Sequence, residues 1–163
     1  MKNLRPIVCA LALPALMAAA GLAARHAAPS IEGSYTLDFR EMPDGSKLRP
    51  PQIVGMMTLT KDHRNFNIYW TEAGKPTSIA AIYHYTLSDK LFTEESLYYA
   101  ANMAGAGITY ETSSSAGTAP VTVKGDQIQF TLPLHGEPAV AFDKNGFTAT
   151  RKDAFVDHWK KLD

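Results

Sequence analysis

From Tyr35 to Arg151 the chain keeps returning to a one-for-one alternation of apolar and polar residues, in short runs broken by Gly, Pro, Asn and Asp. Side chains along a strand point alternately to opposite faces, so each run reads as a strand with one buried and one wet face. Tyr35, Leu37 and Phe39 alternate with Thr36, Asp38 and Arg40, and Pro43-Asp44-Gly45 ends that run as a turn. Ile53 to Thr60 follows, then Phe66, Ile68 and Trp70 after the polar stretch 61–64. Ser78 to Leu87 and Leu91 to Tyr99 are longer and are joined only by Ser88-Asp89-Lys90, which argues for a hairpin. Gly125-Asp126 and Asn145-Gly146 mark two more hairpins.

That pattern is all-β. Roughly nine short strands at turn-marked intervals make a sandwich or a barrel. Sequential hairpins favour an antiparallel up-and-down meander, which hides its edges by closing on itself. Only the end changes period. Asp153 suits a helix cap, and Phe155, Val156, Trp159 and Leu162 would share one helical face, so a short C-terminal helix is expected.

The start of the chain is of another kind. Lys2 and Arg5 flank a basic beginning, 6–17 is almost wholly apolar, and Ala18-Ala19-Ala20 supplies small residues. This is the layout of a secretory signal peptide over 1–24, with cleavage somewhere in 20–28. The expected product is an exported protein, periplasmic or secreted, with its folded domain over 31–163. Without 1–24 the 16 basic side chains fall by two to 14, against 16 acidic, a net charge of −2. No basic stripe remains, which argues against a nucleic-acid partner. No further apolar run reaches membrane-spanning length, so no membrane insertion is expected after signal removal. The single cysteine, Cys9, lies in the signal, so the domain holds no thiol, disulfide or Cys-ligated metal.

Several of these residues carry a resemblance. Gly33-Ser34-Tyr35-Thr36-Leu37 stands where lipocalin-like domains open with Gly-x-Trp-x-Leu. Pro43-Asp44-Gly45, Gly55, His84-Tyr85-Thr86-Leu87 and Val123-Lys124-Gly125-Asp126-Gln127-Ile128 are similar to further parts of that family. The resemblance spans about 31–160. It implies a lipocalin-like β-barrel of about 8–10 strands around a cavity for a small apolar molecule. It also places an arginine, Arg151, at the end of the last strand, where its guanidinium is expected over the Tyr35 ring to close the barrel.

The candidate ligand-binding residues are Met57, Phe66, Ile68, Trp70, Tyr83 and Tyr85. Phe66, Ile68 and Trp70 share a face, and tyrosine and tryptophan pair an apolar body with a polar tip, which suits a ligand wall. The same residues are the packing if the barrel is filled, in which case the protein would act through its surface. A third expectation is a cofactor-free isomerase, cyclase or dehydratase. His84, alone among the histidines in mid-strand, would be its general base, with Glu95, or Glu94 or Glu111, as the acid partner. The histidines show no close ligand spacing, so no metal site is expected. The small residues of 101–107 suggest a mobile lid.

Overall fold

The computed structural model describes residues 29–162. The segment read as a secretory signal, 1–24, lies outside them. Thirteen strands cover the described chain: β1 Gly33–Glu41, β2 Lys47–Leu48, β3 Ile53–Leu59, β4 His63–Glu72, β5 Lys75–Leu87, β6 Leu91–Asn102, β7 Ile108–Glu111, β8 Ala116–Pro120, β9 Thr122–Lys124, β10 Gln127–Thr131, β11 Ala139–Asp143, β12 Gly146–Arg151 and β13 Phe155–Leu162. All belong to one antiparallel sheet, in the order β7-β6-β5-β4-β3-β1-β13-β12-β11-β10-β9. The all-β expectation holds, and the sheet is curled and barrel-like.

The two ends of the curl meet through a single stretch of chain. β8 pairs with β6 and β9 pairs with β10, and only Val121 separates β8 from β9. The Val121 amide donates to the Lys90 carbonyl at the crossing.

The expected C-terminal helix is not formed. Residues 155–162 are strand β13, which sits between β12 and β1. The apolar spacing fits a helix on paper, but the two flanking strands offer it hydrogen bonds along its whole length. About eight residues cannot hold a helix without docking. As a strand they bury Asp157 and Trp159 and leave Lys160 exposed.

Two β-bulges reset the alternation. Asp38 is an extra residue in β1, because Leu37 faces Trp159 while Phe39 faces His158. Tyr35 and Leu37 are buried before it and Arg40 after it, so the bulge turns Arg40 into the interior. In β6, Ile82 faces Tyr98 while Tyr83 faces Ser96, which leaves Leu97 as the extra residue. Phe92, Glu94 and Ser96 are inward before it, and Ala101 is buried after it.

Aromatic side chains fill much of the interior. Tyr35 meets Phe142 and Phe147 edge-on at 5.8 and 5.2 Å, Phe92 stacks on Phe130 at 4.3 Å, and Phe147 stacks on Trp159 at 5.2 Å. The Tyr35 hydroxyl donates to the Ile31 carbonyl at 2.9 Å. The cation nearest the Tyr35 ring is Lys161, at 5.8 Å, and not Arg151, which is exposed. Arg40, in the interior, lies 3.8 Å from the Phe155 ring and 4.9 Å from Trp70.

Both glycine-marked hairpins form, by different means. Gly125 has φ +59 as the first of the two turn residues between Lys124 and Gln127, as a type II′ turn requires. Between β11 and β12 the turn residues are Lys144 and Asn145, and Asp143 faces Gly146. Gly146 is needed for closeness, since a Cβ there would lie 2.0 Å from the Trp159 carbonyl oxygen. Asp143 Oδ1 accepts from the Asn145 and Gly146 amides at 2.7 and 3.0 Å. Gly146→Ala is therefore expected to cost about 1–3 kcal/mol by forcing β12 from β13. An unchanged urea midpoint would refute this reading of the hairpin.

Candidate functional site

The inward face of β4 reads Arg64, Phe66, Ile68, Trp70, all in one phase of the strand. Arg64 is the exception in chemistry and is 2% exposed. A buried charge is tolerated only with partners, and it has two. Its Nε donates to Glu94 Oε1 and its Nη2 to Glu137 Oε2, both at 2.7 Å. Its guanidinium also lies 4.0 Å from the Tyr83 ring. Burial alone would lower the Arg64 pKa, but the Glu137 and Glu94 carboxylates outweigh it and keep the group charged.

Glu94 and Glu137 come from different places. Glu94 is an inward residue of β6, 2% exposed. Glu137 lies on the loop 132–138 between β10 and β11. That loop packs against the inner face of the sheet, where Leu134 meets Ala81 and Tyr83. Gly117 makes room for it, since a Cβ there would lie 2.8 Å from Pro133. His135 and Gly136 are both left-handed, at φ +53 and +62. For histidine this conformation costs about 1–3 kcal/mol and is held only by surrounding contacts.

Those contacts form a polar chain. The Tyr83 hydroxyl donates to Glu137 Oε1 at 3.0 Å and lies 3.2 Å from His135 Nδ1. His135 Nε2 lies 3.3 Å from Glu111 Oε2. The His135 ring stacks on Tyr99 at 4.0 Å, nearly parallel at 10°. With the Tyr83 hydroxyl proton directed at Glu137, its oxygen can accept from Nδ1–H of His135. Burial, then the Glu137 charge, raises the Tyr83 pKa, so the phenol keeps its proton.

Glu94 is the most perturbed carboxyl of the group. Burial pushes it up to about 7, against the pull of Arg64 and with the help of the Glu137 charge. Among the described residues its second oxygen, Oε2, has no hydrogen-bond partner, and neither has the inward hydroxyl of Ser96, two residues on.

A second buried pair lies across the interior. Arg40 Nε and Nη2 donate to the two oxygens of Asp157 at 2.6 and 2.8 Å. Burial raises the Asp157 pKa, and Arg40 opposes it.

Between the two pairs is a cavity of about 130 Å³. Met57, Phe66, Ile68, Trp70, Phe147 and Trp159 give its apolar wall, and Arg40, Asp157, Arg64, Glu137 and His135 its polar margin. About 150 Å³ accommodates a benzene ring, so this space matches an occupant of roughly that size. A larger hollow of about 610 Å³ lies open on the outer face of the sheet, beside Val54, Met56, Tyr69 and Tyr110. It encloses nothing, so the interior cavity is the place where contacts are desolvated.

Of the residues expected from sequence, Met57, Phe66, Ile68 and Trp70 line the cavity. Tyr83 is buried one contact away, beneath Arg64. Tyr85 is buried elsewhere, its hydroxyl donating to the Thr60 carbonyl at 2.5 Å. His84 and Glu95 do meet as cross-strand partners, but on the outer face, because Tyr83 and Tyr85 take the inward positions. The segment 101–107 is tied down: Ala101 is buried in β6, and the amides of Ala104 and Gly105 donate to Thr77 Oγ1 and the Pro76 carbonyl. Met103 of that segment borders the cavity, and so does the loop 132–138.

Arg40, Arg64, His135, Glu137 and Asp157 were not expected from sequence as site residues, and Glu94, expected as a partner for His84, pairs with Arg64 instead. Arg64 was legible in part, as the residue two before Phe66 in the inward phase. Among the described residues no three His, Cys, Asp or Glu side chains converge as a metal-binding group.

Two outcomes follow from the Arg64 cluster. Arg64→Met leaves two carboxylates without their cation and is expected to cost about 3–5 kcal/mol in urea unfolding; a loss under 1 kcal/mol would overturn the clamp. The folded protein binds the Glu94 proton at pH values where the unfolded chain, with its carboxyl near 4.5, does not. That stabilisation is full below about 4.5 and is lost as pH rises through about 7. The stability of the native sequence relative to Glu94→Gln should therefore fall across that window and level off above it. A flat or rising difference would refute the raised Glu94 pKa.

No protein-family model, no curated protein and no solved structure matches this chain.

Proposed function

We propose that the protein binds a small molecule with a largely apolar body inside a lipocalin-like, up-and-down barrel, and that it does so after export. The observation that carries this reading is the interior cavity of about 130 Å³, where Met57, Phe66, Ile68 and Trp70 meet two buried guanidiniums. The consecutive pairing of β3 to β6 and of β10 to β13 supports the up-and-down description. The layout of residues 1–24 supports export.

The cavity is amphipathic, and this refines the occupant. Arg40 and Arg64 each use Nε and Nη2 on carboxylates; among the described residues no partner engages Nη1 of either. Such a margin favours an occupant with an acceptor at one end. An aromatic-sized body buries roughly 150–250 Å², worth about 4–6 kcal/mol at 25 cal/mol per Å². Even before the entropy of association is subtracted, that corresponds to a Kd of about 1 mM to tens of micromolar, so tighter binding draws on the polar margin.

A second reading is a cofactor-free acid–base enzyme. The arrangement favours His135 and Glu137 over His84 and Glu95 for that work, because both line the cavity and both contact the Tyr83 hydroxyl.

One experiment addresses both. Native mass spectrometry of protein secreted by its own host should show a cleaved chain carrying a co-purifying small molecule. The two tryptophans, Trp70 and Trp159, both line the cavity, so removal and re-addition of that molecule should shift intrinsic fluorescence. Fluorescence unmoved by benzene-sized acids, alcohols and hydrocarbons, with no co-purifying mass, would sink the binding reading. Chemical change of the molecule on incubation would favour the enzyme.

A further inference from the structure

His84 and Glu95 are left unused by the interior, and they sit in an ordered row on the outer face. His63 on β4 faces His84 on β5, His84 faces Glu95 on β6, and Glu95 faces Ala116 on β8. The two imidazole rings are 5.4 Å apart between centroids and inclined at 70°. His63 Nδ1 is 2.7 Å from Asp62 Oδ1. A carboxylate is acceptor-only when ionised, so Nδ1 carries the proton and the Nε2 lone pair is left outward.

We propose that this row is a binding site for a divalent transition-metal ion, held by His63 and His84, on the opposite side of the sheet from the cavity. Three observations converge. Two imidazoles bound to one tetrahedral ion by bonds of about 2.0–2.1 Å have ring centroids about 5 Å apart, close to the spacing present before any ion arrives. The Asp62–His63 contact is the carboxylate–imidazole arrangement that orients metal-binding histidines and raises their basicity. Beside His84 the outer face is an open hollow bordered by Glu95 and the small Ala116, which leaves room for an ion and its waters. The protein ligands are the two imidazoles, with water completing the set, and imidazole suits copper(II) and zinc(II). Local spacing in the chain conceals it, because its ligands are neighbours across strands.

The test uses untagged protein and copper(II) chloride alone. Expected are saturable uptake of one copper per chain by calorimetry and an electron paramagnetic resonance spectrum with coupling to two nitrogens. His63→Ala and His84→Ala should each abolish the two-nitrogen signal, and Asp62→Asn should weaken uptake by about 10-fold or more. His158→Gln, on a histidine stacked against Phe39 elsewhere on the outer face, should change nothing. His84→Gln keeps the side-chain length and stands in if His84→Ala alters the far-ultraviolet circular dichroism. No saturable uptake, or uptake and spectrum unchanged in His63→Ala/His84→Ala, overturns the proposal.

Discussion

Arg64 is a full positive charge in a place with almost no water, and three separate parts of the chain are arranged around that fact. It stands on β4, Glu94 stands on β6, and Glu137 arrives on the loop 132–138. Water would solvate the guanidinium far better than apolar walls do, so its burial depends on both carboxylates being in place. Glu137 reaches it only if the loop folds inward, and His135 accepts a left-handed backbone in doing so. Tyr83 and Tyr99 then hold the histidine. The inward loop and the polar margin of the cavity both follow from one ion cluster, while burial holds the Glu94 pKa up against the pull of Arg64.

The strand pattern was legible because its physics is local. Alternation reports which face is dry, and Phe66, Ile68, Trp70 and Met57 were assigned to the interior on that ground alone. Polar residues carried no such signal. Arg64 shares the phase of Phe66, yet its charge argued for a turn, and only the distant Glu94 and Glu137 reverse that. The bulge at Asp38 hid Arg40, because strict alternation from Leu37 puts it outside. The end of the chain went astray for a related reason. Spacing in 155–162 fits a helix, and the hydrogen bonds offered by β1 and β12 decide otherwise. His84 stood out as the histidine in mid-strand, and its neighbours Tyr83 and Tyr85, by taking the inward positions, turn it outward.

The interior therefore divides its labour. Aromatic stacking from Tyr35 through Phe142 and Phe147 to Trp159 supplies apolar burial without disulfides. The two guanidinium–carboxylate groups contribute less net stability than an apolar core of equal volume. What they add is direction: fixed N–H groups beside an apolar space, in a region where no water competes for them.

The stretch from Ala116 to Lys124 has a mechanical meaning. Elsewhere neighbouring strands are bound along most of their length, as β4 and β5 are over ten register pairs. Here one strand divides its loyalty, giving five register pairs to β6 and three to β10. A hoop parts at its join, and this join is short. Parting there would breach the wall while leaving both buried arginines with their carboxylates, since none of those residues lies on the stretch. The molecule thus has a built-in seam, where its closure rests on one short stretch of chain.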